Sequence, residues 1–384
     1  MDAPRSVYIH VPFCRHRCGY CNFTLVAGRD YLIDDYLRAI EQELSVVIQN
    51  PIQVDTIYLG GGTPSRLPKA ALERLLNMLG RRFYLSERGE FTMEANPDDL
   101  PSDIAETIRQ SQINRISLGI QSFSVSKLRS LDRDHDLSQI KDALDIVRDI
   151  VDRFSVDLIF AAPHDSPEIW QSDLDSAIET GAQHISTYEL TYEKGTNFWK
   201  KKLQRQLQPS PDDLCAEYYL ATIERLTTAN YQHYEISSFA KSGHRSFHNQ
   251  VYWSGKPYFA LGPGASGFVN QTRYTNHRSV KRYLTQVLQG KSAVAESHLL
   301  SDWELANDQL VFGLRRIEGV HVGNFRQETG WSIEQLVPDA LMQTWLKQAL
   351  LEFEGDFLRL TKRGLLFADT VCSQISMSEP PPKK

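Results

Sequence analysis

The sequence predicts an α/β protein, a partial (β/α)6, TIM-like barrel followed by a mainly helical, winged-helix-like C-terminal domain. Three observations lead there. Six short β-rich runs, "SVYIHVP", "VDTIYLG", "EFTMEAN", "RISLGIQ", "SVDLIFA" and "HISTYEL", each precede a stretch of helical character. Repeated βα units of this kind pack as a parallel sheet with right-handed crossovers. Cys14, Gly60 to Gly62, Glu94, Gln121 and Asp157 all fall near the ends of these runs, most at C-terminal ends. A barrel assembles its chemistry at that face, which favours a barrel over a doubly wound sheet. After Tyr192 the repeat stops, and the chain closes on "GDFLRLTKRGLLFADTVC", read as a small hairpin leading into a last helix.

Taken in order, each of the six runs is rich in Val, Ile, Leu, Tyr or Phe, residues that suit a pleated strand buried on both faces. The stretch "KGTNFWKKKLQRQLQPSPDD" reads as a polar connection before a helix from about Pro211 to Asn230. Next come "YQHYEISSFAKSGHRSFHNQVYW" and the glycine-rich "YFALGPGASGFV", aromatic and turn-rich, expected to return to the barrel flank and close it. These readings place the barrel in residues 1–230, a flanking segment in 231–270 and the C-terminal domain in 271–384, with helices dominating from about Val280. "SEPPPKK" is expected to fray.

Hydrophobic residues make up 41% and charged residues 23% of the 384. No apolar run approaches the roughly 18 residues that a membrane span needs, although association with a membrane surface is left open. A net charge of −6 argues against a broad electrostatic grip on nucleic acid. "MDAPRS" opens the chain without an apolar leader, so the expected compartment is the cytoplasm. Of five cysteines, Cys215 and Cys372 stand apart and read as ordinary thiols of a reducing compartment.

The other three, Cys14, Cys18 and Cys21, sit in "CRHRCGYC" with C-x3-C-x2-C spacing. Zinc is one reading, with His10 or His16 as a fourth ligand, but structural zinc sites usually pair two knuckles of thiolates. The alternative is a 4Fe-4S cluster in which a short loop caps three irons and leaves one open to an exchangeable ligand.

This spacing, with an aromatic residue, Tyr20, just before the last cysteine, resembles the radical S-adenosylmethionine superfamily. "GGGTP", "EANP", "LGIQSF" and "LDRDHD" are similar to the coproporphyrinogen dehydrogenase-like branch, and the likeness runs along essentially the whole chain. "HNQVYW", His248 to Trp253, resembles the HNxxYW motif of the HemW family of heme chaperones. The resemblance implies a 4Fe-4S cluster on the three cysteines and S-adenosylmethionine at Gly61, Gly62, Thr63 and Glu94. It implies further that Gln121, Arg133 and Asp157 meet a ribose, a carboxylate or a second cofactor molecule, and that heme is carried to an acceptor hemoprotein.

On their own chemistry these residues allow plainer readings. Gly60 to Gly62 fit neither the dinucleotide fingerprint nor a P-loop, and a tight turn would explain them, although bare backbone beside a cluster also lets a zwitterion approach. Glu94 could be a solvated carboxylate or the partner of a sulfonium or ammonium group, and Arg133 could clamp a carboxylate. Tyr8 is expected to pack in the barrel and offer mainly a backbone contact. His248 could be a hydrogen-bonded structural group. As a heme ligand it would have Phe247, Tyr252 and Trp253 for apolar cover, with His233 and His244 as substitutes.

Two departures from the branch bear on function. Ala161 and Ala162 stand at a strand end that usually contains glycine. Asn22-Phe23 follows Cys21 where the porphyrinogen dehydrogenases carry a further cysteine, and the stretch before Cys14 has no length for their long N-terminal arm. A heme chaperone is therefore the leading reading, ahead of an oxygen-independent coproporphyrinogen III dehydrogenase and of a zinc-stabilised binding module.

Overall fold

A computed structural model describes residues 3–377; "SEPPPKK" lies outside the described residues. The six expected strands are β1 (Ser6–Val11), β2 (Ile52–Gly61), β3 (Phe83–Ala95), β4 (Arg115–Gln121), β5 (Arg153–Phe160) and β6 (His184–Glu189). They pair in chain order, all parallel. Each is followed by a helix on the outer face, the principal ones being Ile33–Val47, Lys69–Gly80, Ser102–Arg109, Leu137–Ile150, Pro167–Glu179 and Asp212–Thr228. Leu137–Ile150 shows why such a segment is helical. Asp136 and Gln139 form a capping box at its start, and Ile140, Ala143, Leu144 and Val147 make one buried stripe.

The segment after the last of these helices does not close the barrel. The strands β7 (Gln232–Glu235) and β8 (Ser238–Ala240) extend the β6 edge antiparallel, whereas β9 (Phe259–Leu261) joins the opposite edge parallel to β1. The nine-stranded order is thus β9-β1-β2-β3-β4-β5-β6-β8-β7, an open sheet whose two edges do not meet. The helix Phe247–Trp253, which carries the HNQVYW motif, lies between β8 and β9 in sequence and is held by Thr56 of β2 and Glu90 of β3.

Two further differences have local causes. The stretch expected as a polar connection contains the helix Asn197–Leu203, capped by the Thr196 hydroxyl and anchored by buried Phe198 against Leu131, Ile159 and Leu190. Across the expected boundary at residue 270 runs a small antiparallel sheet, formed by Ser266–Val269, Thr272–Asn276 and Val294–Leu299, ahead of most of the helices. The helix Val280–Leu288 buries Val280, Tyr283, Leu284 and Val287 in the barrel core. A second core, from Ala306 to Ile375, joins the helices Asp302–Leu314 and Ala368–Ser376 to the hairpin Leu351–Glu354/Phe357–Leu360, the arrangement of a winged helix.

Ala161 adopts φ 59°, the left-handed region in which an alanine costs about 1–2 kcal/mol. Ala161→Gly should therefore escape the roughly 0.5–1 kcal/mol loss that this change brings in ordinary backbone. An unchanged or higher urea midpoint is the expected result.

Candidate functional site

The cysteine loop follows β1 directly, and its path is set by charge-assisted and close-packed contacts. The Arg17 guanidinium donates to the carbonyls of Cys21, Phe23 and Leu25 at 3.0–3.1 Å. Gly19 lies so close to Phe198 that a Cβ would come within 2.2 Å of its ring. Neither histidine offered as a fourth zinc ligand is free. His10 pairs with the Tyr8 hydroxyl and the Thr24 carbonyl, and His16 with the Asp132 carbonyl and the Asp134 carboxylate, its Nε2 also lying 3.7 Å from Cys18 Sγ. Among the described residues no three His, Cys, Asp or Glu side chains converge as a single ion requires. A cubane instead spreads its three thiolates over three irons. Burial pushes the Cys14 thiol up to about 12 and raises Cys21 as well, so the thiolates form when a metal group replaces their protons. The loop fits a cluster.

The loop opens into a cleft of about 1120 Å³, lined also by Tyr20, Gly61, Gly62, Thr63, Glu94, Gln121, Arg133 and Asp157. The right-handed crossovers bring these together, because parallel strands deliver their C-terminal ends to one face. Thr63 Oγ1 lies 3.6 Å from Cys14 Sγ and accepts from Asn96 Nδ2 at 2.9 Å. Asn96 Oδ1 in turn accepts from Arg133 at 2.7 Å, and Arg133 reaches Cys18 Sγ at 3.6 Å. A chain of polar contacts thus runs from one cysteine to another across the ends of β2 and β3. The sequence reading missed Asn96, although it stands inside "EANP", two residues beyond Glu94.

Glu94 is held at both oxygens, one accepting from the Tyr58 hydroxyl at 2.8 Å and the other from the Gly61 N–H at 2.9 Å. Burial raises its carboxyl to about 7 against these two donors. Tyr58 was also missed, yet it was legible: it stands two residues before Gly60 on one strand, so both face the same side. A Cβ on Gly60 would meet both Tyr58 and Glu94. Gly61 has φ 112°, and a Cβ there would lie 2.4 Å from His10, so its backbone freedom serves close packing as well as the cleft. Gln121 occupies φ 69° at the end of β4, strained backbone of the sort found where a site sets the geometry. Asp157, expected near a strand end, is the fifth residue of the eight in β5. One of its oxygens accepts from Ser117 and the other, Oδ1, is buried without a partner.

Two residues named from the sequence are not brought to the cleft. Tyr8 lies behind it, its ring 6.1 Å from that of Tyr58 and its hydroxyl on His10. His248 is 0% exposed. Its Nδ1 is 2.7 Å from Thr56 Oγ1, its Nε2 is 2.7 Å from the Tyr252 hydroxyl, and burial lowers it to about 3. Of this motif it is Asn249 that lines the cleft.

The radical SAM superfamily model matches residues 8–177, and the HemN C-terminal domain model matches residues 300–367. The radical SAM match implies S-adenosylmethionine and a 4Fe-4S cluster. The heme chaperone HemW of Bacillus subtilis is 32% identical over 371 residues, covering 96% of this chain and 98% of that one. The HemW of Lactococcus lactis is 32% identical over 385 residues, covering 99% of each. A mitochondrial radical S-adenosyl methionine domain-containing protein 1 of Danio rerio is 30% identical, covering 94% of this chain and 82% of that one. In fold, the chain matches the coproporphyrinogen III oxidase (HemN) of Escherichia coli with a TM-score of 0.85 at 22% identity, over 98% of this chain and 91% of that one. With its cysteine loop, its parallel barrel and full-length likeness to these chaperones, the chain belongs to the HemW family of the radical SAM superfamily.

Proposed function

We propose that this protein is a heme chaperone, which holds heme on a radical SAM scaffold and passes it to an acceptor hemoprotein. The observation that supports this most directly is the cleft. Its volume of about 1120 Å³ exceeds the roughly 300–1,000 Å³ of a site for one small ligand, and its lining is mixed. The cysteines, Glu94 and Arg133 share it with Ile159, Leu190, Leu365, Leu366 and Phe367. Polar groups that suit a zwitterionic cofactor are thus joined in one cleft by apolar side chains that suit a macrocycle.

In this reading Cys14, Cys18 and Cys21 hold the cluster, and Glu94 faces the positive sulfonium or ammonium of S-adenosylmethionine. Gly61, Gly62 and Thr63 let its amino-acid end approach bare backbone. The unpartnered Asp157 Oδ1 accepts a ligand hydroxyl, while Gln121, Arg133 and Tyr20 complete the lining around the cofactor. When bound, the cluster supplies an electron and heme is the cargo. Ligation of heme iron by His248 would require one ring nitrogen to give up Thr56 or Tyr252 and the buried ring to become accessible. Among the described residues no helix is long and apolar enough to cross a membrane. Cytoplasmic residence belongs to the same proposal and rests on the free thiols at Cys215 and Cys372.

The test is a hemin titration of anaerobically reconstituted protein, followed by transfer to an apo-hemoprotein and an assay with coproporphyrinogen III. A saturable Soret shift, transfer faster than spontaneous release and no protoporphyrinogen IX are expected. Turnover of coproporphyrinogen III would instead make the protein a dehydrogenase.

A further inference from the structure

His248 is fully buried, and its ring is held by Thr56, Tyr252 and Tyr58. The backbone N–H of His248 donates to buried Glu90, as do the Phe247 N–H and the Ser246 hydroxyl, so the start of the motif helix is bolted to β3. The imidazole is then fixed at both nitrogens, by Thr56 of β2 and by Tyr252 one helical turn on. Its face lies against Tyr58, with ring centroids 5.0 Å apart and planes 29° from parallel. Thr56 and Tyr58 stand two apart on β2 and so share a face. Tyr58, braced from behind, presents its hydroxyl to Glu94.

From this stack we infer that His248 is a positioning residue for the cofactor site: its ring braces Tyr58, and Tyr58 holds Glu94 in the cleft. The inference rests on the reading of Glu94 as a contact for S-adenosylmethionine. An imidazole suits the task better than an aliphatic residue because it offers a flat face to Tyr58 and two ring nitrogens to buried hydroxyls that would otherwise lack partners. The motif therefore acts on the site through Tyr58, while the neighbouring Asn249 reaches the cleft itself.

The charged and titratable groups around Glu94 come from several elements. They are Tyr58 on β2, Tyr8 on β1, Asp157 on β5 and Tyr252 on the motif helix. Arg115 of β4 acts on Tyr58 and Asp157. The hydrogen bond from Tyr58 favours the ionised form of Glu94, whereas burial and Asp157 oppose it. Displacing Tyr58 must then move the pH at which the site accepts a cation upward.

The experiment is calorimetric titration of S-adenosylmethionine into the full chain, reconstituted anaerobically, at several pH values, with iron content and hemin Soret spectra recorded in parallel. His248→Ala should bind the cofactor about tenfold more weakly at neutral pH. Its pH midpoint should rise, with iron content and Soret band as in the wild type. His248→Phe keeps a flat ring against Tyr58 but cannot ligate iron, and it should recover most of the affinity. Tyr58→Phe, which leaves the stack intact and removes only the hydroxyl, should reproduce the pH shift and guards against a poorly folded His248→Ala. Unchanged affinity and pH midpoint in His248→Ala, with Glu94→Gln weakened, would overturn the positioning role alone. Loss of the Soret band in His248→Ala and His248→Phe alike, at wild-type cofactor affinity, would make His248 the iron ligand instead. If Glu94→Gln binds as the wild type does, the reading of Glu94 fails and the inference falls with it.

Discussion

Replacing any one of Cys14, Cys18 or Cys21 by alanine is expected to abolish iron binding almost completely. Each thiolate would anchor a different iron, and the loop supplies no substitute. His16, the nearest imidazole, is engaged at both nitrogens by Asp132 and Asp134, and His10 by Tyr8 and Thr24. With one anchor gone, the remaining two leave half of the four irons without a protein ligand and open to solvent. The wild type should hold about four irons and four sulfides per chain after anaerobic reconstitution, the single variants close to none. The fold should survive, because the second core and most of the barrel core lie outside the loop. A variant that retains wild-type iron would remove its cysteine from the site, and zinc in place of iron and sulfide would favour the binding-module reading.

Glu94→Gln should weaken S-adenosylmethionine binding by about 10- to 100-fold, the range that corresponds to losing one charge-assisted contact. The amide also cannot accept at both ends. Either the Tyr58 hydroxyl or the Gly61 N–H loses its acceptor and faces an NH2 group. A pH signature accompanies the loss. Burial raises the Glu94 carboxyl to about 7, and the cofactor's positive charge interacts best with the ionised form. Wild-type affinity should therefore fall as pH drops below about 7, by up to about tenfold per unit, while Glu94→Gln shows no such slope. Calorimetry across this window reads both effects. Equal affinity and equal slope in the two proteins would take Glu94 out of the site.

Much of this site was legible because its elements are short. The loop from Cys14 to Cys21 spans eight positions, and thiol spacing alone narrows its chemistry. That Gly61 and Glu94 lie at one mouth follows from parallel βα units, whose crossovers bring strand ends to one face, whereas their part in binding a cofactor came from the resemblance alone. Asp157 lines the cleft but not from a strand end: it reaches it from the middle of β5, by facing inward, and only the period of two along that strand carries the information. Tyr58 could have been found by the same period, counted back from Gly60. Asn96 carried a weaker signal, since an amide next to a proline is ordinarily a turn residue.

By itself the sequence determined the class of the fold, the cluster loop and the strand ends that face it, because all of these depend on contacts between near neighbours and on crossover handedness. Tertiary structure alone decided what His248 faces. Its partner Thr56 is 192 residues away, and no local pattern tells a buried, doubly bonded imidazole from an exposed one. The same holds for the two edges of the sheet. "YFALGPGASGFV" has the composition of a closing strand, but β9 pairs with β1 while β8 and β7 hold the far edge, and the barrel stays open. Backbone donors and acceptors are alike at every strand edge, so which edge a segment joins is set by the packing of the whole sheet.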